Sequence, residues 1–184
     1  MRSRLVLFLV PVALVFAACG GSSKGSSPST QPSGSTVHVA KVATADPSAS
    51  AKMVCAPEGI KAVNGAIGID AVKVSTPTWI DHVYSCSLTF KGGGVITLAV
   101  KELSNPDETT AYFNSLGNKL GKGTPQAIGT QGSFSTKNGD VVVRKDYKVL
   151  LVDVSKAPAN LGYDTRGNDA INAAFALMEC WTGA

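Results

Sequence analysis

Between Tyr84 and Val100 the chain alternates in polarity around a run of glycines, and this stretch constrains the fold more than any other. Tyr84, Cys86, Leu88 and Phe90 share one face of an extended strand, and Ser85, Ser87 and Thr89 share the other, because successive strand side chains point to opposite sides. Lys91-Gly92-Gly93-Gly94 then leads into Val95-Ile96-Thr97-Leu98-Ala99-Val100, a second strand-forming run. The pair reads as an antiparallel hairpin.

The flanking segments supply helices and further strands. Ile60, Val63 and Ile67 recur at helical intervals after Pro57, which suits a first turn, and glycines close the run. Ile69 to Thr76 reads as a strand ended by Pro77. Asn105-Pro106-Asp107-Glu108 combines an N-cap, a first-turn proline and a box-like Glu, opening a helix toward Leu120 that Gly121 to Pro125 closes. Gln126 to Ser135 and Val141 to Arg144 read as strands around Asn138-Gly139, a pair suited to a type I′ turn. Val149 to Val154 makes a last strand. After a polar loop from Ala157 to about Gly167, Ile171, Ala174, Phe175 and Met178 form a closing amphipathic helix, with Asn168 or Thr165 as its cap. The expected fold is α+β, a single antiparallel sheet domain with helices packed on it.

The N-terminus carries the address. Arg2 and Arg4 precede an apolar run from Leu5 to Phe16 that is shorter than the about 20 residues a spanning helix needs, the pattern of a secretory signal. Ala17 and Ala18 before Cys19 resemble the bacterial lipobox, with Phe16 where that motif more often has Leu. The expected processing is diacylglyceryl attachment to the Cys19 thiol and cleavage of residues 1–18. Two acyl chains suffice for lasting membrane attachment. From Gly20 to about Ser50 the chain is rich in Gly, Ser, Thr and Pro and reads as a flexible tether, so residues 19–50 form the lipidated linker and 51–184 the folded domain. Cleavage removes two of 17 basic residues and none of 13 acidic ones, leaving a formal +2. Nucleic-acid binding thereby loses its compositional support.

With Cys19 assigned to lipid, Cys55, Cys86 and Cys180 remain in an oxidising compartment. Chain entropy favours a Cys55–Cys86 link by about 3.7 kcal/mol and a Cys55–Cys180 link by about 4.9, a difference too small to choose between them. The order of these features resembles a family of small lipoproteins from high-GC Gram-positive bacteria, catalogued as a domain of unknown function. A cysteine opens a short helix that ends in glycines, and a second sits in an alternating strand. Gln126-Ala127-Ile128-Gly129, the Asn138-Gly139 hairpin and an amphipathic helix follow. The resemblance spans about Val54 to Trp181. Met53-Val54 stands where the family typically has an acid-proline pair, and Leu88 where it has an aromatic. The resemblance implies a Cys55–Cys86 disulfide; Cys55–Cys180, stapling the first and last helices, is the alternative. The remaining thiol then reads as a small buried apolar residue.

No arrangement names a reaction. His38 lies in the tether, and His82, beside Asp81, reads as a solvated turn residue without a second ligand at zinc spacing. An enzyme would need Asp146 and Asp153 to converge with His82. Gly117 to Thr124 echoes a phosphate loop with the wrong spacing, after a helix instead of a strand. Lys119/Lys122 and Arg144/Lys145/Lys148 read as solvated loop charge before a patch for anionic lipids or wall polymers. Trp79, Tyr147, Tyr163 and Trp181 would mark an interaction site if clustered at the surface.

The leading reading is therefore a non-enzymatic lipoprotein on the extracytoplasmic face of the cell membrane. It needs no cofactor or metal, and its sheet domain binds an envelope protein partner through an exposed face or loop. The second reading is a carrier of a lipid or small apolar ligand between sheet and helices. A core filled by Phe90, Leu98, Phe113, Val143, Val152 and Phe175 would oppose it.

Overall fold

The computed structural model describes residues 44–129 and 131–181. The signal segment, Cys19, His38 and the tether to Ala43 lie outside the described residues. Folded structure begins slightly earlier than composition places it. Helix α1 (Ala49–Met53) is capped by Ser48, whose Oγ accepts from Ala51 N. Helix α2 (Pro57–Ile67) follows, with Pro57 in its first turn and Gly68 as its left-handed C-cap. Gly59, in the first turn of α2, faces the end of α1 so closely that a Cβ would stand 2.3 Å from the Met53 carbonyl oxygen.

Strands β1 (Lys73–Val74) and β2 (Thr78–Ile80) both pair with β3 (Val83–Thr89), forming one interrupted edge. The expected continuous strand from Ile69 to Thr76 is thus reduced to its middle. Hairpin β3–β4 (Val95–Glu102) forms as the alternation predicts, in the register Thr89↔Val95 to Val83↔Lys101. Helix α3 (Pro106–Leu120) is capped at both ends as expected. Asn105 Oδ1 accepts from Glu108 N at 2.9 Å, Glu108 Oε2 accepts from Ser104 N at 3.1 Å, and Gly121 turns left-handed at φ 74°.

Strands β5 (Lys122–Pro125), β6 (Ser133–Thr136), β7 (Val141–Lys145) and β8 (Lys148–Asp153) form a second antiparallel run. Lys122 to Pro125, expected only as a helix exit, is an exposed edge strand. The expected strand from Gln126 is broken instead, because Gly129 and Gly132 take φ of 70° and 123° and Ser133 Oγ closes the loop, donating to Gln126 O at 2.6 Å and accepting from Ile128 N at 3.1 Å. Strand β8 pairs with β4, so the sheet of eight strands runs β1/β2–β3–β4–β8–β7–β6–β5. A short hairpin of β9 (Asn160–Leu161) and β10 (Asp164–Thr165) precedes helix α4 (Arg166–Cys180).

The turn chemistry differs from expectation. Asn138 keeps a negative φ while Gly139 takes 92°, and Thr136 N donates to Asp140 O at 2.8 Å. That loop is three residues long and needs only one left-handed position. The two-residue turns lie at Asp81-His82 and Asp146-Tyr147, with φ of 50° and 56°, and 50° and 59°. The directly opposed pairs Ile80↔Val83 and Lys145↔Lys148 leave room for two residues, and right-handed strand twist then demands positive φ at both.

The sheet buries two clusters, one on each side. Cys86, Leu88, Ile96, Leu98, Val100, Val141, Val143, Leu150 and Val152 meet Val63 and Ile67 of α2 and Ala170, Ala173, Ala174 and Leu177 of α4. On the other face Phe134, Val142 and Val149 meet Phe113 of α3. Phe90, Leu98, Phe113, Val143, Val152 and Phe175 therefore do not fill one core together. Phe113 belongs to the second face, and Phe175 is 51 % exposed. Helix α4 turns its alanines inward, so its backbone approaches α2 and the sheet closely and the bulky Ile171-Phe175-Met178 side is left at the flank. Leu177→Ala should then cost about 2–5 kcal/mol, as for other buried leucines, whereas Phe175→Ala should stay within about 0.5 kcal/mol. Urea denaturation of the two variants measures the difference.

Candidate functional site

The cysteines give the firmest local chemistry. Cys55 follows α1 and opens the turn into α2, while Cys86 points from the centre of β3 toward the helices. The two are joined in a disulfide, with Cα atoms 6.0 Å apart. The bond fastens the start of α2 to the sheet. The Cys55–Cys180 alternative is excluded because Cys86 occupies Cys55. Cys180 does not remain as a thiol either: it is disulfide-bonded, and none of the described cysteines is free.

The residues that would make an acid-base site are kept apart. His82 is exposed in its turn, its ring packs edge-on against Trp79 at 5.5 Å, and its carbonyl accepts from Glu102 N at 2.9 Å. Asp146 shares a turn with Tyr147, whose carbonyl accepts from Leu103 N at 2.9 Å. These turns therefore grip the end of β4. Asp153 sits at the far end of β8, opposite Thr97, and five strand steps separate it from Lys148 by about 17 Å. The three do not converge. Among the described residues no group of three or more His, Cys, Asp or Glu side chains could hold a metal ion.

Asp153 lies instead beside Asp140, a buried carboxylate that sequence reading did not single out. Asp140 accepts from Val154 N at 3.0 Å and from Thr136 Oγ1 at 3.1 Å. Burial pushes its pKa up, the Val154 amide opposes that shift, and the neighbouring Asp153 carboxylate adds to it. Its bonds tie the β6–β7 loop to the end of β8, which is a structural task.

The aromatics do not gather, and of the basic groups Arg144 and Lys122 meet at one ring, Phe113. Arg144 lies 5.5 Å from the Phe113 ring centre and donates to Thr110 Oγ1 at 2.7 Å. Lys122 covers Phe134 at 5.5 Å. On the opposite sheet face Lys145 Nζ donates to the Trp181 carbonyl at 2.7 Å, and Lys148 is buried. Gly117 and Gly121 serve the exit of α3. Trp181 is buried and Tyr163 is exposed on the β9–β10 turn, while Trp79 and Tyr147 are separated by three strand spacings across the sheet, about 14 Å, and by three residues along it.

The second face of β3 and β4 presents a different surface. Helix α3 lies over β5 to β8, and the second-face cluster it forms includes none of Ser85, Ser87, Thr97 and Ala99. These half-buried small side chains form a flat floor laced by hydroxyl contacts, Thr78 Oγ1 to Ser85 Oγ at 3.1 Å and Ser87 Oγ to Thr97 Oγ1 at 3.2 Å. Lys101 marks its border with α3, its Nζ 5.8 Å from the Tyr112 ring centre. The alternation of Ser85, Ser87 and Thr89 signalled this face; nothing in the sequence signalled that α3 would leave it outside its cluster.

Removing the disulfide by the paired substitutions Cys55→Ala and Cys86→Ala should lower unfolding free energy by about 2–4 kcal/mol, the range for a loop of this length. Urea midpoints of the two proteins under non-reducing conditions provide the test.

No protein family, curated protein or solved structure matches the chain.

Proposed function

We propose that the chain is a non-enzymatic lipoprotein held on the extracytoplasmic face of the cell membrane through a lipid on Cys19, and that its sheet domain is a binding module for another envelope protein. The hydroxyl-lined floor of β3 and β4, outside the cluster that α3 forms, carries the binding part of this reading. Flat sheet surfaces with small side chains admit a partner backbone closely, and the hydroxyls both donate and accept. The Cys55–Cys86 bond supports the export part, since structural disulfides persist in oxidising compartments.

Between the sheet and helices α2 and α4 the space is occupied by Phe90, Leu98, Val143, Val152, Val63, Ile67 and Leu177, all at or below 1 % exposure. That filling favours the binding module over a carrier of a lipid or small apolar ligand in the same space.

The test is mass spectrometry of the mature protein from its own membrane, native and then denatured without reduction. A diacylglyceryl increment on Cys19 is the expected result. In the native spectrum a second polypeptide is expected, lost when Ser87→Arg and Thr97→Arg are introduced together. A retained small apolar molecule instead would overturn the binding reading in favour of the carrier.

A further inference from the structure

Asp169 lies in the first turn of α4, is fully buried, and among the described residues neither carboxyl oxygen has a hydrogen-bond partner. A helix start favours a negative charge, but burying a charge without partners costs far more than that field returns. The β9–β10 hairpin lies against this end of the helix. Its Leu161 is buried in the main core, and its turn at Gly162 presses on the end of α2, where a Cβ would fall 1.4 Å from the Ile67 carbonyl oxygen. The hairpin is lightly fastened otherwise. Tyr163 N donates to Ile67 O at 3.3 Å, and Arg166 N to Ala159 O at 2.9 Å.

The charges around Asp169 sharpen the problem. Asp164 on β10 is held ionised by the Asn168 side-chain amide and the Thr165 backbone amide, which lower its pKa. Strand β9 brings only Asn160 and Leu161, and the last turn of α2, from Asn64 to Ile67, has no ionisable side chain. Arg166 directs its guanidinium to the Ala157 carbonyl at 3.4 Å. The β6–β7 loop, with Asp140, approaches Gly167 of α4, and Asp153 stands beside Asp140. Lys145 from β7 sits at the other end of α4, against the Trp181 carbonyl, as does Lys148, opposite Lys145 across the β7–β8 turn. Among the described residues of these elements no cation offsets Asp169.

We propose that a proton on Asp169 holds the β9–β10 hairpin closed, so that this hairpin is a pH-controlled flap that tightens in mildly acidic surroundings and opens as the carboxyl ionises. Burial raises the Asp169 pKa to about 6; the Leu161 amide lowers it somewhat without reaching hydrogen-bond geometry, and the Asp164 charge raises it. The folded form then binds more protons than the unfolded one between about 4, the ordinary Asp range, and about 6. Stability from this group is full below that window and is lost as pH rises through it. Opening the flap gives the carboxylate water, so the loss falls first on the hairpin.

The experiment is amide hydrogen exchange of residues 160–166 in the folded protein, corrected for intrinsic rates, at pH 5 and pH 8. Protection should drop by at least about tenfold at the higher pH, the equivalent of one pKa unit, while amides of β4 and β8 hold theirs. In Asp169→Asn the drop should vanish. Carbon NMR titration of Asp169 in the unsubstituted protein provides a second readout independent of the variant's folding, with a raised midpoint expected. A midpoint in the ordinary Asp range, or an equal loss of protection in Asp169→Asn, overturns the proposal.

Discussion

The ladder between β4 and β8 is the contact on which the rest of the structure depends. Before it forms, the chain is two local antiparallel runs, β2–β3–β4 and β5–β6–β7–β8, separated by α3. Pairing Thr97↔Asp153 through Glu102↔Lys148 fuses them and places Leu98, Val100, Leu150 and Val152 side by side on one face. Only a continuous surface of that width can be covered by both α2 and α4. Because side chains alternate, a slip of one residue in this seam would put Leu150 and Val152 on the face opposite Leu98 and Val100. Such a slip is opposed at one end of β4, where the His82 and Tyr147 carbonyls accept from Glu102 and Leu103. The tight turns at Asp81-His82 and Asp146-Tyr147 therefore do more than reverse the chain. They lock its central register.

What was legible in the sequence was what local chemistry decides. Strict alternation from Tyr84 to Phe90 specified a strand and its buried face, and Asn105, Pro106 and Gly121 specified both ends of α3. Where the deciding partner is distant, reading failed. Positive φ at His82 and Tyr147 follows from strand registers that no dipeptide announces, whereas Asn138-Gly139, which carries the dipeptide, sits in a loop of another length. Lys122 to Pro125 has no strand-forming residue besides Thr124 and pairs only because Phe134 and Thr136 present an edge to it. In α4 the helical spacing of Ile171, Ala174, Phe175 and Met178 does not mark the innermost stripe: Ala170, Ala173, Ala174 and Leu177 are fully buried, and Ile171 and Met178 pack at its side.

The candidate sites divide along the same line. The Cys55–Cys86 pairing came from a family resemblance, because loop entropy alone left it undecided. The residues with chemical interest on paper, His82, Asp146 and Asp153, are distributed over two turns and opposite strand ends. Those whose surroundings are most altered, Asp140 and Asp169, read locally as a loop acid and a first-turn helix acid. Each is ordinary in that local setting. What changes them is burial by packing that the residue's own element does not show, the end of β8 for Asp140 and the β9–β10 hairpin just before the helix for Asp169.

A buried unpaired carboxylate also has to be reconciled with a stable domain. Leaving such a group unsatisfied costs on the order of 1–3 kcal/mol or more, a large share of the about 5–15 kcal/mol that separates folded from unfolded chains. The layout confines that cost. The disulfide fastens the first turn of α2 to β3, while the flap rests on the last turn of α2 at Ile67 and Gly68. Strain at Asp169 can be relieved by releasing Leu161 and the hydrogen bond from Tyr163, without disturbing the β4–β8 seam or the α2 end that the disulfide holds. Regions with few buried contacts open at lower free energy than the core. The hairpin is such a region, so ionisation of Asp169 is answered by local opening in place of global unfolding.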